Sequence, residues 1–157
     1  TVMSAVRKLS DAANAMFLEL SATASSNGGS FYITAPGASG SNPYESLSRG
    51  SAALNANQQA TISTGSAPDT AVISTTHDIS GDLTTARRNA TAFTNATGDK
   101  GAGNFGNYPL YFGRRNNATL PYNGYEFCTI IRGAATDSAI ISNFEKNLLA
   151  RRAGISI

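Results

Sequence analysis

Apolar positions along this chain come in short blocks separated by turn-forming residues. Residues 1–9, 31–34, 70–76, 108–112 and 125–132 are rich in Val, Ile, Thr, Tyr and Phe, the side chains that suit a pleated, partly buried surface. In residues 125–132, Tyr125, Phe127, Thr129 and Ile131 alternate with Glu126, Cys128, Ile130 and Arg132. Both sets carry apolar groups, which predicts a strand inside a two-layer fold. Residues 10–20 read two ways: the alanines and Leu20 suit a helix, whereas Ala15-Met16-Phe17-Leu18-Glu19-Leu20 fits a strand equally well. Turn signals recur roughly every eight to fourteen residues, among them Ser25-Ser26-Asn27-Gly28-Gly29, Ala35-Pro36-Gly37, Ala67-Pro68-Asp69, Ser80-Gly81-Asp82, Arg115-Asn116-Asn117 and Tyr122-Asn123-Gly124. Gly supplies positive φ, Pro fixes φ, and Asn or Asp bonds back to its own backbone. That punctuation predicts an antiparallel β-sandwich with its strands ending by about residue 133.

The last part of the chain follows a different period. Thr136 is placed to cap a helix over residues 137–152, and the Asp137 carboxylate suits the positive end of its dipole. Ile140, Ile141, Phe144, Leu148 and Leu149 form one apolar stripe at helical spacing. Arg151 and Arg152 occupy the final turn, and Gly154 ends it.

Composition strengthens the sheet reading. Ala, Ser, Thr, Gly and Asn fill 88 of the 157 positions, and charged residues make up only 14%. The Leu-, Glu- and Lys-rich runs of a helix bundle are missing. One domain of 157 residues spans the sequence. Its first residue is Thr1 rather than Met, so we expect a piece of a larger protein. Twelve basic and ten acidic residues nearly balance, against a nucleic-acid partner. The longest apolar stretch, residues 15–20, is interrupted by Glu19 and far too short for membrane insertion. A single cysteine, Cys128, excludes an internal disulfide and reads as a buried thiol.

A search for catalytic chemistry finds none. The four glutamates, at 19, 45, 126 and 145, have no second acid within two positions, unlike the paired carboxylates of a glycosidase strand. His77 is the sole histidine and has no Gly-x-Ser-x-Gly nucleophile nearby. Gly101-Ala102-Gly103-Asn104-Phe105-Gly106 matches a dinucleotide fingerprint in letters only, because it does not join a strand to a helix. Three Arg pairs are scattered along the chain and balanced by acids. Asn104, Phe105, Tyr108, Arg114, Tyr122 and Asn123 are the candidate glycan-binding residues, since aromatic rings and amides together stack on and hydrogen-bond a sugar. The competing reading packs those aromatics on the sandwich rim.

Tyr111-Phe112-Gly113-Arg114-Arg115, Pro121-Tyr122-Asn123-Gly124, the strand that follows, and Thr136-Asp137 onward resemble the closing part of the laminin-G-like, concanavalin A-like jelly-roll domains of bacteriophage virion proteins. Val6-Arg7-Lys8-Leu9-Ser10-Asp11-Ala12-Ala13 and Asp78-Ile79-Ser80-Gly81-Asp82 resemble the same group, so the likeness extends over most of the chain. It implies a mainly β jelly-roll sandwich with one C-terminal amphipathic helix, and it assigns residues 15–20 to a strand. Such folds often hold Ca²⁺ at a loop edge, which makes Asp78, Asp82 and Asp99 weak calcium candidates; no cofactor is otherwise expected. The resemblance further implies a non-enzymatic module on the virion surface, in a capsid, tail or fibre. Its expected partners are other virion proteins in a symmetric homo-oligomer, and surface glycans. A purely architectural domain and a glycan-processing enzyme of the same fold stand as alternatives.

Overall fold

A computed structural model describes residues 1–62, 66–92 and 95–157 of the chain. Among the described residues, ten strands form two antiparallel five-stranded sheets. The first sheet runs in the order β10 (Gly124–Ile131), β1 (Val2–Lys8), β6 (Asp69–Asp78), β7 (Leu83–Arg88) and β8 (Thr91–Ala92). The second runs β5 (Gln59–Ile62), β4 (Tyr44–Arg49), β3 (Ser30–Thr34), β2 (Met16–Leu20) and β9 (Leu110–Phe112). The mainly β sandwich expected from the sequence is present, and residues 16–20 form a strand.

The two faces of the first sheet bury different partners. Val2 and Val6 of β1 and Ala71 and Ile73 of β6 point between the sheets, where they meet Phe17, Leu18, Phe31, Ile33, Tyr44 and Ile62. The alternate residues Met3, Ala5 and Val72 point outward and are covered by Ile141, Leu149 and Ala150 of the C-terminal helix. Period-two alternation thus supplies two cores, one on each side of β1 and β6. Helical cover closes the outer face of the first sheet, and on the second sheet the outward positions Glu19, Thr34 and Leu47 are buried as well.

The helix departs from its sequence reading in cap and in register. Asp137, not Thr136, is the N-cap, with its Oδ1 accepting the Ala139 N–H at 2.7 Å. An α-helical segment α1 (Ser138–Phe144) passes into a π-helical turn (Glu145–Leu149) and then α2 (Ala150–Ala153), and Gly154 closes it at φ +68°. The wider turn rotates the stripe. Ile141 and Leu149 are buried, whereas Ile140 and Phe144 are 46% and 38% exposed. The position facing the sheet between them is taken by Glu145, fully buried and bound to Arg87.

β10 also differs from its reading, because among the described residues it is an edge strand paired with β1 alone. Its apolar residues on two faces have two separate causes. Cys128 and Ile130 pack under the helix, while Tyr125, Phe127 and Ile131 lie on the surface. A bulge opposite Ala5 and Val6 breaks the alternation at Phe127.

Candidate functional site

The second sheet sends Leu20, Phe31, Ile33, Tyr44, Ala60 and Ile62 to the core, so the residues between them face outward. Register then sets Glu19 beside both Tyr32 and Tyr111, and Glu45 beside Thr34. Above this floor lies a slot of about 240 Å³ whose lining includes Asn14, Tyr32, Glu45, Leu54, Gln59 and Arg115.

Each polar group on the floor is held in place. Glu19 is fully buried; its Oε1 accepts the Ala24 N–H at 2.8 Å, and its Oε2 accepts Arg115 Nε–H at 2.9 Å. Arg115 is positioned by a tight turn in which Arg115 and Thr119 exchange backbone hydrogen bonds of 2.8 and 3.1 Å. Asn116 and Asn117 take φ of 47° and 55° there, a conformation that Asn tolerates. The Arg115-Asn116-Asn117 turn signal in the sequence therefore has a local function, which is to deliver a guanidinium to the slot. The Tyr32 hydroxyl donates to Gln59 Oε1 at 3.1 Å, and burial, with Glu45 adding to it, pushes that phenol up to about 12. Glu45 closes the floor. Its side chain lies so close to Gly37 that a Cβ at position 37 would overlap the carboxylate. Burial raises the Glu45 carboxyl above its ordinary value, and no donor among the described residues reaches it.

Chemically, the slot offers one aromatic ring, two amides, one free carboxylate and the outer N–H groups of a guanidinium. A polyhydroxylated ring fits such a set, because each hydroxyl both donates and accepts. The slot does not match the geometry of a glycosidase, which needs two carboxyl groups free to act on the bond. Glu19 is engaged on both oxygens, which leaves Glu45 alone.

The six residues singled out from the sequence divide between opposite ends of the sandwich. Phe105 borders a cavity with Thr1 and Ile131, whereas the Asn123 carbonyl accepts the Leu9 N–H at the far end of β1. Asn104, Phe105 and Tyr108 belong to the first end, where the Tyr108 hydroxyl donates to the Gly28 carbonyl at 3.1 Å. Arg114, Tyr122 and Asn123 belong to the second, linked by the Tyr122 N–H donating to the Gly113 carbonyl. The Tyr122 ring packs edge-on against Phe17 at 5.5 Å, and its hydroxyl is buried without a partner among the described residues. Burial accordingly drives that phenol upward. Tyr122 serves the core, and the six do not form one platform.

The cavity beside Phe105, about 400 Å³, is lined mainly by apolar side chains including Val2, Leu20, Phe31, Leu110 and Ile131. His77 closes its inner end, stacked on Phe31 at 5.0 Å, with Nε2 3.3 Å from Ser46 Oγ and 3.1 Å from Thr75 Oγ1. Burial pushes the imidazole down to about 3, so the ring is neutral.

The three aspartates considered for calcium are each engaged by backbone N–H groups, Asp78 and Asp99 within their own turns and Asp82 across to the loop at Lys100. Asp78 Oδ1 accepts from Gly81 N–H at 3.0 Å and Ser80 Oγ–H at 2.9 Å, bonds that hold the carboxyl below its usual value. Asp82 Oδ1 accepts the Lys100 N–H, and Asp99 Oδ1 the Gly101 N–H, both at 2.7 Å. Among the described residues no three His, Cys, Asp or Glu side chains converge on one point.

Glu19, Tyr32, Glu45, Gln59 and Arg115 are not legible as a group in the sequence, since they are spread over ninety-seven positions of chain (19 to 115). One signal was available. A lone acid inside Met16-Phe17-Leu18-Glu19-Leu20 must find a partner once that strand is buried.

No family model and no curated protein matches the sequence. Among solved structures, the chain is similar in fold to the carbohydrate-binding module, CBM40, of the Ruminococcus gnavus IT-sialidase. The TM-score is 0.61 at 10% identity, covering 92% of this chain and 80% of that one. The same module bound to α2,3-sialyllactose gives a TM-score of 0.61 at 10% identity, covering 92% and 81%.

Proposed function

We propose that this chain is a non-catalytic carbohydrate-binding module whose ligand enters the slot on the second sheet. The observation that carries this reading is the set formed by Tyr32, Gln59, Glu45 and Arg115, an aromatic ring flanked by polar and charged side chains lining one slot on the second sheet. Similarity in fold to a carbohydrate-binding module supports it. The engagement of both Glu19 oxygens supports binding over hydrolysis.

The setting we propose is a virion surface, where a symmetric homo-oligomer would carry many copies alongside other virion proteins. That part rests on the sequence resemblance to phage jelly-roll domains. A shallow single-ring site binds on the order of millimolar, or about 4 kcal/mol, and repetition on a particle turns weak sites into firm adhesion.

The experiment is a glycan array probed with the folded domain in multivalent form, beside Tyr32→Ala and Gln59→Ala. Wild type should adhere to a subset of glycans, both variants should lose at least tenfold, and no reducing ends should appear. A folded multivalent protein that adheres to nothing would leave an architectural domain. Release of reducing ends would establish an enzyme.

A further inference from the structure

The charges around the slot restrict the kind of sugar it can take. Arg115 is its cation, and that charge is already matched by Glu19 through Nε. Arg49, on the same sheet, turns its Nη1 to the carbonyls of Ala24 and Ser25 at 3.4 and 2.6 Å. It does not line the slot. Glu45 has no countercharge among its bonded neighbours, and the only perturbation of its carboxyl is burial. With Glu19 and Arg115 cancelling, the lining carries one uncompensated negative charge, on Glu45.

An incoming carboxylate would meet that charge in a partly desolvated slot, where like charges repel more strongly than in water. A neutral sugar meets no such cost. Two adjacent hydroxyls can accept from the outer N–H groups of Arg115, which have no partner among the described residues, and donate to the carboxylate of Glu45. Hydrogen bonds to ionised groups are the stronger kind, so the same two residues that repel an acid favour a diol.

We infer that the slot recognises a vicinal diol of a neutral hexose between Arg115 and Glu45, and that Glu45 excludes sialylated and uronic-acid glycans. This inference rests on the carbohydrate-binding reading above. It also separates this chain from the similar module found with α2,3-sialyllactose, which accepts an acidic sugar.

The test measures dissociation constants for lactose, cellobiose and maltose against 3′-sialyllactose and a galacturonate oligomer, at neutral pH and moderate salt. Wild type should bind at least one neutral sugar tenfold or more tightly than either acid. Glu45→Gln keeps the shape and removes the charge, and should bring the two classes within about threefold. Arg115→Lys keeps the countercharge for Glu19 but loses the forked donors; it should weaken the neutral sugar at least fivefold while leaving the thermal midpoint within a few degrees. Wild type that binds sialyllactose as tightly as lactose, or Glu45→Gln that leaves the ratio unchanged, overturns the selectivity and leaves the binding reading standing. If no sugar binds while Tyr32→Ala and wild type behave alike, both fall together.

Discussion

Arg87 on β7 grips Glu145 on the π-helical turn through three hydrogen bonds, two from Nε at 3.2 Å and one from Nη2 at 3.1 Å. Glu145 is fully buried under the helix, and Arg87 is largely so. This pair fixes the helix to the first sheet at the position where the apolar stripe is interrupted. Removing one member of a buried pair leaves a charge without compensation, whereas replacing both with apolar residues restores much of the loss. Arg87→Met should therefore cost about 3–5 kcal/mol in urea unfolding. The double variant Arg87→Met, Glu145→Leu should be clearly more stable than the single one, and additive losses would show that the two do not interact.

The rotated helical stripe gives a second expectation. Leu149 is fully buried and Phe144 is 38% exposed. Leu149→Ala should cost about 2–5 kcal/mol, in the range for emptying a core site. Phe144→Ala should stay below about 1 kcal/mol, in keeping with surface substitutions. Denaturation midpoints of the two variants decide it, and the reverse order would return Phe144 to the core.

His77 links stability to acid. Unfolded, the imidazole takes a proton near 6.5; folded, burial above all holds it to about 3. Between those values the unfolded chain binds the extra proton. The contribution of His77 is therefore complete above about pH 6.5 and is lost as pH falls toward 3. Urea midpoints taken at half-unit steps should decline over that window, and His77→Gln should decline less. A folded-state ring titrating near 6.5 by NMR would contradict this account.

Gly37 offers a test of the sugar slot that spares the core. An alanine there forces the Glu45 carboxylate to swing aside, and the obstruction is the far end of a flexible chain. Gly37→Ala should therefore leave stability within about 1 kcal/mol of wild type, the range of ordinary surface changes, while weakening sugar binding at least threefold. Calorimetric titration beside a melting curve separates the two effects.

Much of the fold was legible because its strands obey simple patterns. β1, β3, β6 and β10 carry Val, Ile, Phe or Tyr at their core positions, and residues 15–20 gained a strand reading from family resemblance. β4 and β7 gave no such signal. Their inward positions include Ser46, Ser48, Thr84 and Ala86, which look like loop residues in sequence but are buried here. The helix was visible from its period, yet its register was not, because a π-turn adds a residue that no 3.6-residue template contains. The slot was hidden for a topological reason. Tyr32 and Gln59 become neighbours only when β3, β4 and β5 pair, and Arg115 arrives from a turn after β9. Tyr122 and Asn123 misled because an aromatic beside Asn-Gly suggests a surface loop, whereas Tyr122 faces Phe17.

The hydroxyl groups between the sheets have a thermal consequence. Ser48 Oγ lies 3.1 Å from Thr84 Oγ1, and Ser46 and Thr75 both bond His77, all in the interior. Unfolding therefore hydrates polar as well as apolar surface, and the two change the heat capacity with opposite signs. The heat-capacity increment should fall below the usual figure of about 12–15 cal/mol/K per residue, which flattens the stability curve against temperature. A sandwich stitched internally by hydroxyls is thereby suited to hold its shape through wide swings of heat and cold.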